Sequence, residues 1–459
     1  MGKSNIAAVV VIAAVAVAGQ APAQAPRRPA PAAPAPARAP AQVVTGPVST
    51  YWMSAETTAG FGAGMMGGAG GGRPSLGSIM GMMGGGASAA NHKLTLQLGS
   101  STATPSPSAN HTVPAGFGIG PQLPLLTPRA APPAPVETGE SIPKEYQRPR
   151  GRMLIFWGCG DRARPGQPLV LDFAQMAEGK LPAAAMGAMK GLNYTPMQPP
   201  SAARSKTYGE WPNERERRTP PPTSSLVGPH AVAGSYTPPI NFMLTPNQDF
   251  MPPLGLRTAK APSGSAQLTW TAAPSARGYL AMAVGGGEQD TVALWISSEG
   301  QAAAFGLPDY LSPGDLQRLV TSKALMPAGS TSCAVPKEFV DVAPTAFVNL
   351  AGYGEEANFS SPPRPADPRT PWNIDWVAKV RYRTAESAIL GMDMAAMGGG
   401  APPAPTGARG FPGQGAAPPP TAGGFPGQPA PAAPPPESAR DAVIRGLGSA
   451  IGRGLLGGR

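Results

Sequence analysis

Residues 92–100 read HKLTLQLGS, with Leu94, Leu96 and Leu98 alternating against Lys93, Thr95 and Gln97. A period of two predicts a half-buried strand. RMLIFWG (152–158) is a short apolar run, DRARPGQ behind it is turn sequence, and PLVLDF (168–173) is the returning strand of a hairpin. AQMAEGKLPAAAMGAMKGL (174–192) reads as a helix-like or loose stretch. Residues 195–238 are polar and interrupted by proline, and they read as a long loop or insertion.

Three further strands stand in residues 265–299: QLTWT, GYLAMAV and TVALWIS, separated by AAPSA and GGGEQD. Leu268 and Trp270 share a face of the first strand, and Tyr279, Ala281 and Ala283 a face of the second. Residues 312–325 carry helix grammar, with Ser312 as cap, Pro313 in the first turn and an apolar stripe of Leu316, Leu319 and Val320. EFVDVAPTAFVNLAGYG (338–354) and IDWVAKVRYRT (374–384) return to strand character. In the latter, Trp376, Ala378, Val380 and Tyr382 alternate with Val377, Lys379, Arg381 and Arg383, so one face is apolar and the other mainly basic.

The Trp-bearing strand, proline turn and Tyr-bearing strand of 265–299 resemble the early strands of a fibronectin type III or immunoglobulin-like sandwich, over about 35 residues. The expected fold is therefore mainly β: a β-sandwich-like core (immunoglobulin/fibronectin III-like) between long disordered Pro/Ala-rich and Gly-rich flanks, with a short C-terminal amphipathic helix. The expected boundaries are a signal peptide at 1–23, a Pro/Ala-rich linker at 24–42 and a flexible Gly/Met-rich segment at 43–90 with a short strand around 48–53. A strand and Pro-rich linker at 91–143 then lead to an ordered, mostly β core at 144–395 of one or two subdomains. A Pro/Gly-rich linker at 396–436 and a basic amphipathic tail at 437–459 follow.

Composition narrows this picture. Gly and Pro number 60 and 61 among 459 residues, and their clustering into runs leaves fewer foldable stretches than the length implies. At the N-terminus, Lys3, the apolar run from Ile6 to Ala18 and the Ala21-Pro22-Ala23 site read as a secretory signal, shorter than the ~20 apolar residues of a membrane span. Export to the periplasm, the outer membrane surface or the medium is expected. Cys159 and Cys333 are the only cysteines, and an even count in an exported chain favours a disulfide over two separate buried thiols. The net charge of +10 is scattered and interleaved with acids, as in RSKTYGEWPNERERR, and no nucleic-acid-binding motif accompanies it.

Several motifs offer chemistry without the context that would make it work. GAGMMG (62–67) satisfies G-x-G-x-x-G but lies inside a glycine run rather than between a strand and a helix. His92, His111 and His230 have no metal-ligand spacing. Glu355, Glu356, Asp161 and Asp172 are acids for glycosidase-like work only if space brings a pair together. Trp211, Trp372, Trp376 and Tyr208 suit a sugar-stacking surface, against the ordinary burial of Trp in a β core. Met392, Met394 and Met397, like Met80, Met82 and Met83, are thioethers suited to copper(I), yet they equally mark a domain edge running into linker.

In the tail, Val443, Ile444, Leu447, Ile451 and Leu455 fall on one arc of a helical wheel, with Arg445, Arg453 and Arg459 on the other side. Its glycines oppose a free helix, so ordering requires an anionic membrane surface or a partner groove. The expectation is an exported, non-catalytic envelope or surface binding or structural protein with no cofactor. Its partner is an envelope component or another protein, not nucleic acid. A periplasmic copper-binding protein is the alternative, and a hydrolase of envelope polymers the third.

Overall fold

The computed structural model describes residues 42–61, 90–129, 151–180, 182–189, 192, 194–288 and 290–392. The signal-like segment, GAGMMG, Met80, Met82, Met83, Met394, Met397 and the whole tail from 437 lie outside them. Strand outweighs helix by 43% to 11%, and the mainly β class holds.

Nineteen strands run in chain order among the described residues. They are β1 (Val44–Thr45), β2 (Ser49–Gly60), β3 (Asn91–Ser100), β4 (Ala109–Thr112), β5 (Gln122–Leu125), β6 (Arg152–Trp157) and β7 (Leu169–Asp172). Next come β8 (Thr207–Trp211), β9 (Gly228–Gly234), β10 (Thr237–Leu244), β11 (Arg257–Lys260), β12 (Ala266–Thr269), β13 (Ala276–Gly286) and β14 (Thr291–Ile296). The last are β15 (Met326–Pro327), β16 (Ser332–Val335), β17 (Phe347–Ser361), β18 (Trp372–Asn373) and β19 (Trp376–Ile389).

A ten-stranded mixed sheet dominates, in the order β7-β6-β14-β13-β17-β19-β2-β3-β8 with β15 beside β13. Two of its pairings are parallel, β6 with β14 and β2 with β19. On one side, here the core face, lie a four-stranded sheet (β10-β9-β4-β5) and a three-stranded one (β11-β12-β16). Tyr51, Leu96, Val348, Val380 and Trp295 of the large sheet pack there with Val232, Phe242, Leu268 and Val335 of the smaller ones. At one corner the Glu210 and Leu126 backbones exchange two hydrogen bonds, of 3.1 and 2.9 Å, joining the β8 edge to the end of β5.

The opposite, outer face is apolar from β7 to β17. Leu280, Ala351 and Tyr353 pack under the Pro313–Thr321 helix, and Ile155, Leu169, Leu171 and Ile296 pack with Ala185 and Ala303. That helix forms as its sequence predicts: the Ser312 hydroxyl accepts from the Asp315 N–H, and proline stands at its start.

Other expectations need correction. Residues 49–60 are a twelve-residue strand paired along its length with β19, not a short strand in a flexible segment. The ordered sheet therefore takes in both 49–60 and 91–100, well before residue 144. Buried on both faces, β2 shows none of the alternation that marks β3. Residues 195–238 are not a long loop either, since β8, β9 and the start of β10 arise there; of their prolines, Pro238 lies on the edge strand β10 and Pro229 on β9 beyond its pairing with β4.

EFVDV is a helix, Lys337–Val342, rather than strand. Pro336 precedes it, and Phe339 turns into the core. The helix lies so close to β13 that a Cβ on Gly285 would stand 2.7 Å from the Cβ of Ala343. Strand β19 also runs on past Thr384 to Ile389. In 265–299 all three strands form, but β12 joins the three-stranded sheet while β13 and β14 pair in the large one.

Cys159 and Cys333 form the expected disulfide, with Cα atoms 5.3 Å apart and a sequence separation of 174. It ties the end of β6 to β16, where Gly160 N–H also donates to the Ala334 carbonyl at 3.0 Å. Closing so long a loop restricts the unfolded chain by about 5 kcal/mol at most on the chain-entropy account. Denatured, unreduced protein is expected to contain no titratable thiol. The Cys159→Ser, Cys333→Ser double variant should lose up to about 5 kcal/mol in denaturant unfolding, and an unchanged midpoint would contradict this role.

Candidate functional site

At β19 the outer face changes character. Because β19 alternates, Trp376, Ala378, Val380 and Tyr382 enter the core while Lys379, Arg381 and Arg383 take the outer face. Parallel pairing sets Lys379 beside Trp52, Arg381 beside Ser54 and Arg383 beside Glu56. The neighbouring pairings extend these rows to Asn358 and Glu356 on β17 and to Gln97, Thr95 and Lys93 on β3. Glu210 on β8 lies next to Gln97. The result is a grid of polar side chains on four adjacent strands and the neighbouring edge of β17.

Its centre is a cation held by aromatic rings. The Arg381 guanidinium lies 4.9 Å from the Trp52 ring centroid and 4.2 Å from that of Tyr310 in the 306–312 loop. Its Nε donates to Ser54 Oγ at 2.7 Å, and Nη1 is 4.0 Å from Met197 Sδ. Lys379 stands over the same indole at 5.5 Å and pairs with Glu356. Such contacts are worth up to about 2 kcal/mol once water is excluded. Burial pushes the Arg381 pKa down, against the attraction of Tyr310, Glu356 and Asp309. It pushes the Tyr310 phenol up, and Glu56 adds to that.

Arg383 is 5% exposed. Its Nη1 donates to Glu56 Oε1 at 2.6 Å and lies 2.9 Å from Asp309 Oδ1. Burial disfavours its charge, but Glu56 and Asp309 more than reverse this, and its pKa rises. The Asp309 carboxyl is raised, chiefly by burial, despite Arg383. Three buried polar atoms of this region have no hydrogen-bond partner: Arg383 Nε, Asp309 Oδ1 and Glu356 Oε1. The Asp309 contact with Arg383 is thus an ion pair outside hydrogen-bond alignment. Farther along, Tyr208 OH donates to Glu210 Oε2 at 2.7 Å, and Gln97 Nε2 donates to the Tyr208 oxygen at 3.3 Å. Lys93, Lys379, Arg381 and Arg383 balance Glu56, Glu210, Asp309 and Glu356, so the grid is neutral overall.

The residues singled out by sequence scatter. Trp211, Trp376 and Tyr208 are buried, while Trp372 packs under Arg364 and donates to the Pro362 carbonyl, so the four form no common sugar platform. Asp172 caps a helix, Asp161 accepts from Ser265 Oγ, and Glu355 pairs with Arg277, while Glu356 belongs to the grid. The three histidines are buried on the core side. Met392 is exposed just beyond β19. Among the described residues no three His, Cys, Asp or Glu side chains form a metal-binding group, and no helix is long and apolar enough to cross a membrane. The basic stripe of β19 was legible in the sequence, whereas Trp52, Glu56, Asp309 and Tyr310 were not. A lone Glu inside the otherwise uncharged stretch STYWMSAETTAG was the available signal.

No protein-family model and no curated protein sequence matches this chain. Among solved structures, the Fcho1 Mu homology domain (Danio Rerio) with bound Eps15 peptide aligns with 74% of this chain and 97% of its own at 8% identity. Its TM-score of 0.19 is too low for the likeness to carry an argument.

Breaking a buried ion pair from one side strands the other charge. Glu56→Gln should therefore cost about 3–5 kcal/mol in denaturant unfolding. Glu355→Gln, at the solvent-exposed Arg277 pair, should cost less than about 1 kcal/mol. Equal losses would show that the Glu56–Arg383 pair does not anchor the grid.

Proposed function

We propose that this chain is an exported, non-catalytic binding or structural protein of the cell envelope, and that the polar half of the large sheet is its contact face. The observation that carries this reading is the change of the outer face from apolar to polar at β19, with Lys93, Gln97 and Asn358 of the polar half reachable from solvent. Balanced charge and alternating donors and acceptors suit a hydrophilic, uncharged partner such as a glycan strand, rather than a polyanion like nucleic acid. The disulfide fits an oxidising compartment. The carboxylates proposed for hydrolysis already serve as helix cap, ion-pair partners and hydrogen-bond acceptor, which favours binding over catalysis. The tail around Val443, Ile444, Leu447, Ile451 and Leu455 would hold the protein at an anionic membrane surface.

Lys93 and Asn358 are exposed and Gln97 is half-buried, so all three can be changed at little cost to the core. Co-sedimentation with purified peptidoglycan sacculi should retain the oxidised protein. The Lys93→Ala, Gln97→Ala, Asn358→Ala variant should bind roughly tenfold more weakly, about 1.4 kcal/mol. Anionic vesicles should retain the full chain but not one ending at residue 436. Retention on sacculi unaffected by the triple change would remove the sheet face from the proposal.

A further inference from the structure

We propose that the hydrogen-bonded chain Tyr51–His111–His230–Leu226 is an acid-released latch between the ten-stranded and four-stranded sheets. Tyr51 comes from β2 in the large sheet, His111 and His230 from β4 and β9 in the small one, and Leu226 from the loop before β9. Tyr51 Oη lies 2.6 Å from His111 Nδ1, His111 Nε2 lies 2.9 Å from His230 Nδ1, and His230 Nε2 lies 2.7 Å from the Leu226 carbonyl.

One end determines the direction of every bond. A carbonyl can only accept, so His230 Nε2 carries a proton and donates it. The Nδ1 of neutral His230 then accepts from His111 Nε2–H, and His111 Nδ1 in turn accepts from the Tyr51 hydroxyl. Each ring is neutral and fully used. A proton added to His230 Nδ1 sets it against the His111 Nε2–H, whereas one added to His111 Nδ1 obliges the Tyr51 oxygen to accept and turns its hydroxyl proton away from the bond it makes; either way a buried cation replaces a neutral, fully paired chain.

The surroundings do not favour the added charge. Phe242 of β10 stacks on His230 at 5.0 Å and is itself stacked on Phe359 of β17. The titratable groups facing His111 are Tyr51 and His230. Asp249, the carboxylate behind the Leu226 loop, already accepts from Ser225 Oγ and from the Leu226 and Phe250 N–H groups. Glu386 of β19 is engaged by the Gly255 N–H. Burial holds both histidines below their ordinary pKa of 6.5, His111 well below it, with His230 adding to the effect on His111. The sign follows: with folded values depressed, the latch is at full strength above pH 6.5 and weakens as pH falls below it. Each histidine contributes up to about a tenfold change in the opening equilibrium per pH unit.

With only three histidines in the chain, imidazole nitrogens can be read directly in the oxidised, full-length, 15N-labelled protein. At pH 7.5, His111 and His230 should both be neutral Nε2–H tautomers. Between pH 6.5 and 5, hydrogen-exchange protection of 109–125 and 226–244 should fall by about ten- to a hundredfold per unit, while 279–296 stays protected. Tyr51→Phe, which deletes the donor to His111 Nδ1, should move this opening to higher pH. An Nδ1–H tautomer at either ring, or protection that does not change between pH 7.5 and 5, would overturn the proposal. If Tyr51→Phe does not fold, these two wild-type measurements decide alone.

Discussion

Strand β2 is buried on both faces, and its parallel pairing with β19 is the constraint from which both halves of the architecture follow. Tyr51, Met53 and Ala55 face the core, while Trp52, Ser54 and Glu56 face the polar grid. A slip of one residue would exchange the two sets, driving Glu56 into an apolar core and Tyr51 away from His111. Both exchanges are costly, so the register of β2 is strongly specified. The pairing also joins residues more than three hundred positions apart, so the sheet cannot close until most of the chain has been traversed.

The polar half is an expensive way to build a sheet. Desolvating Arg383, Glu56 and Glu356 offsets much of what their pairings return, and an apolar grid of the same shape would match or exceed its stability. What the charges add is register and orientation: Arg383 reaches both Glu56 and Asp309 only when the 306–312 loop lies over the strand pair. The disulfide holds the far end, where β6 and the three-stranded sheet meet. Stability and specificity are thus supplied by different parts of the molecule.

Elements with one wet and one dry face were legible in the sequence. Strand β3 shows the alternation that its half-burial requires, the β6–β7 hairpin is flanked by turn residues, and the 313–321 helix announces its cap. Strand β2 was hidden because double burial erases the period of two. Strands β9 and β10 were hidden because proline, ordinarily a breaker, is tolerated where no ladder bond is needed, and the short β8 stands among polar and proline-rich sequence. EFVDV alternates well enough to pass for strand, but it follows Pro336 and forms a short helix that buries Phe339. The site was half visible: the basic stripe of β19 stands in one short stretch, but its partners come from remote segments, and neither Glu56 nor Asp309 belongs to a motif.

Hydrogen exchange of the oxidised protein at pH 7.5 tests the role of β2 most directly. If β2 is the centre of the sheet, amides 50–59 and 377–386 exchange only through global unfolding, with the same free energy as 280–284 and 292–296. Rapid exchange of 50–59 while the other segments stay protected would make β2 a peripheral strand and contradict the account.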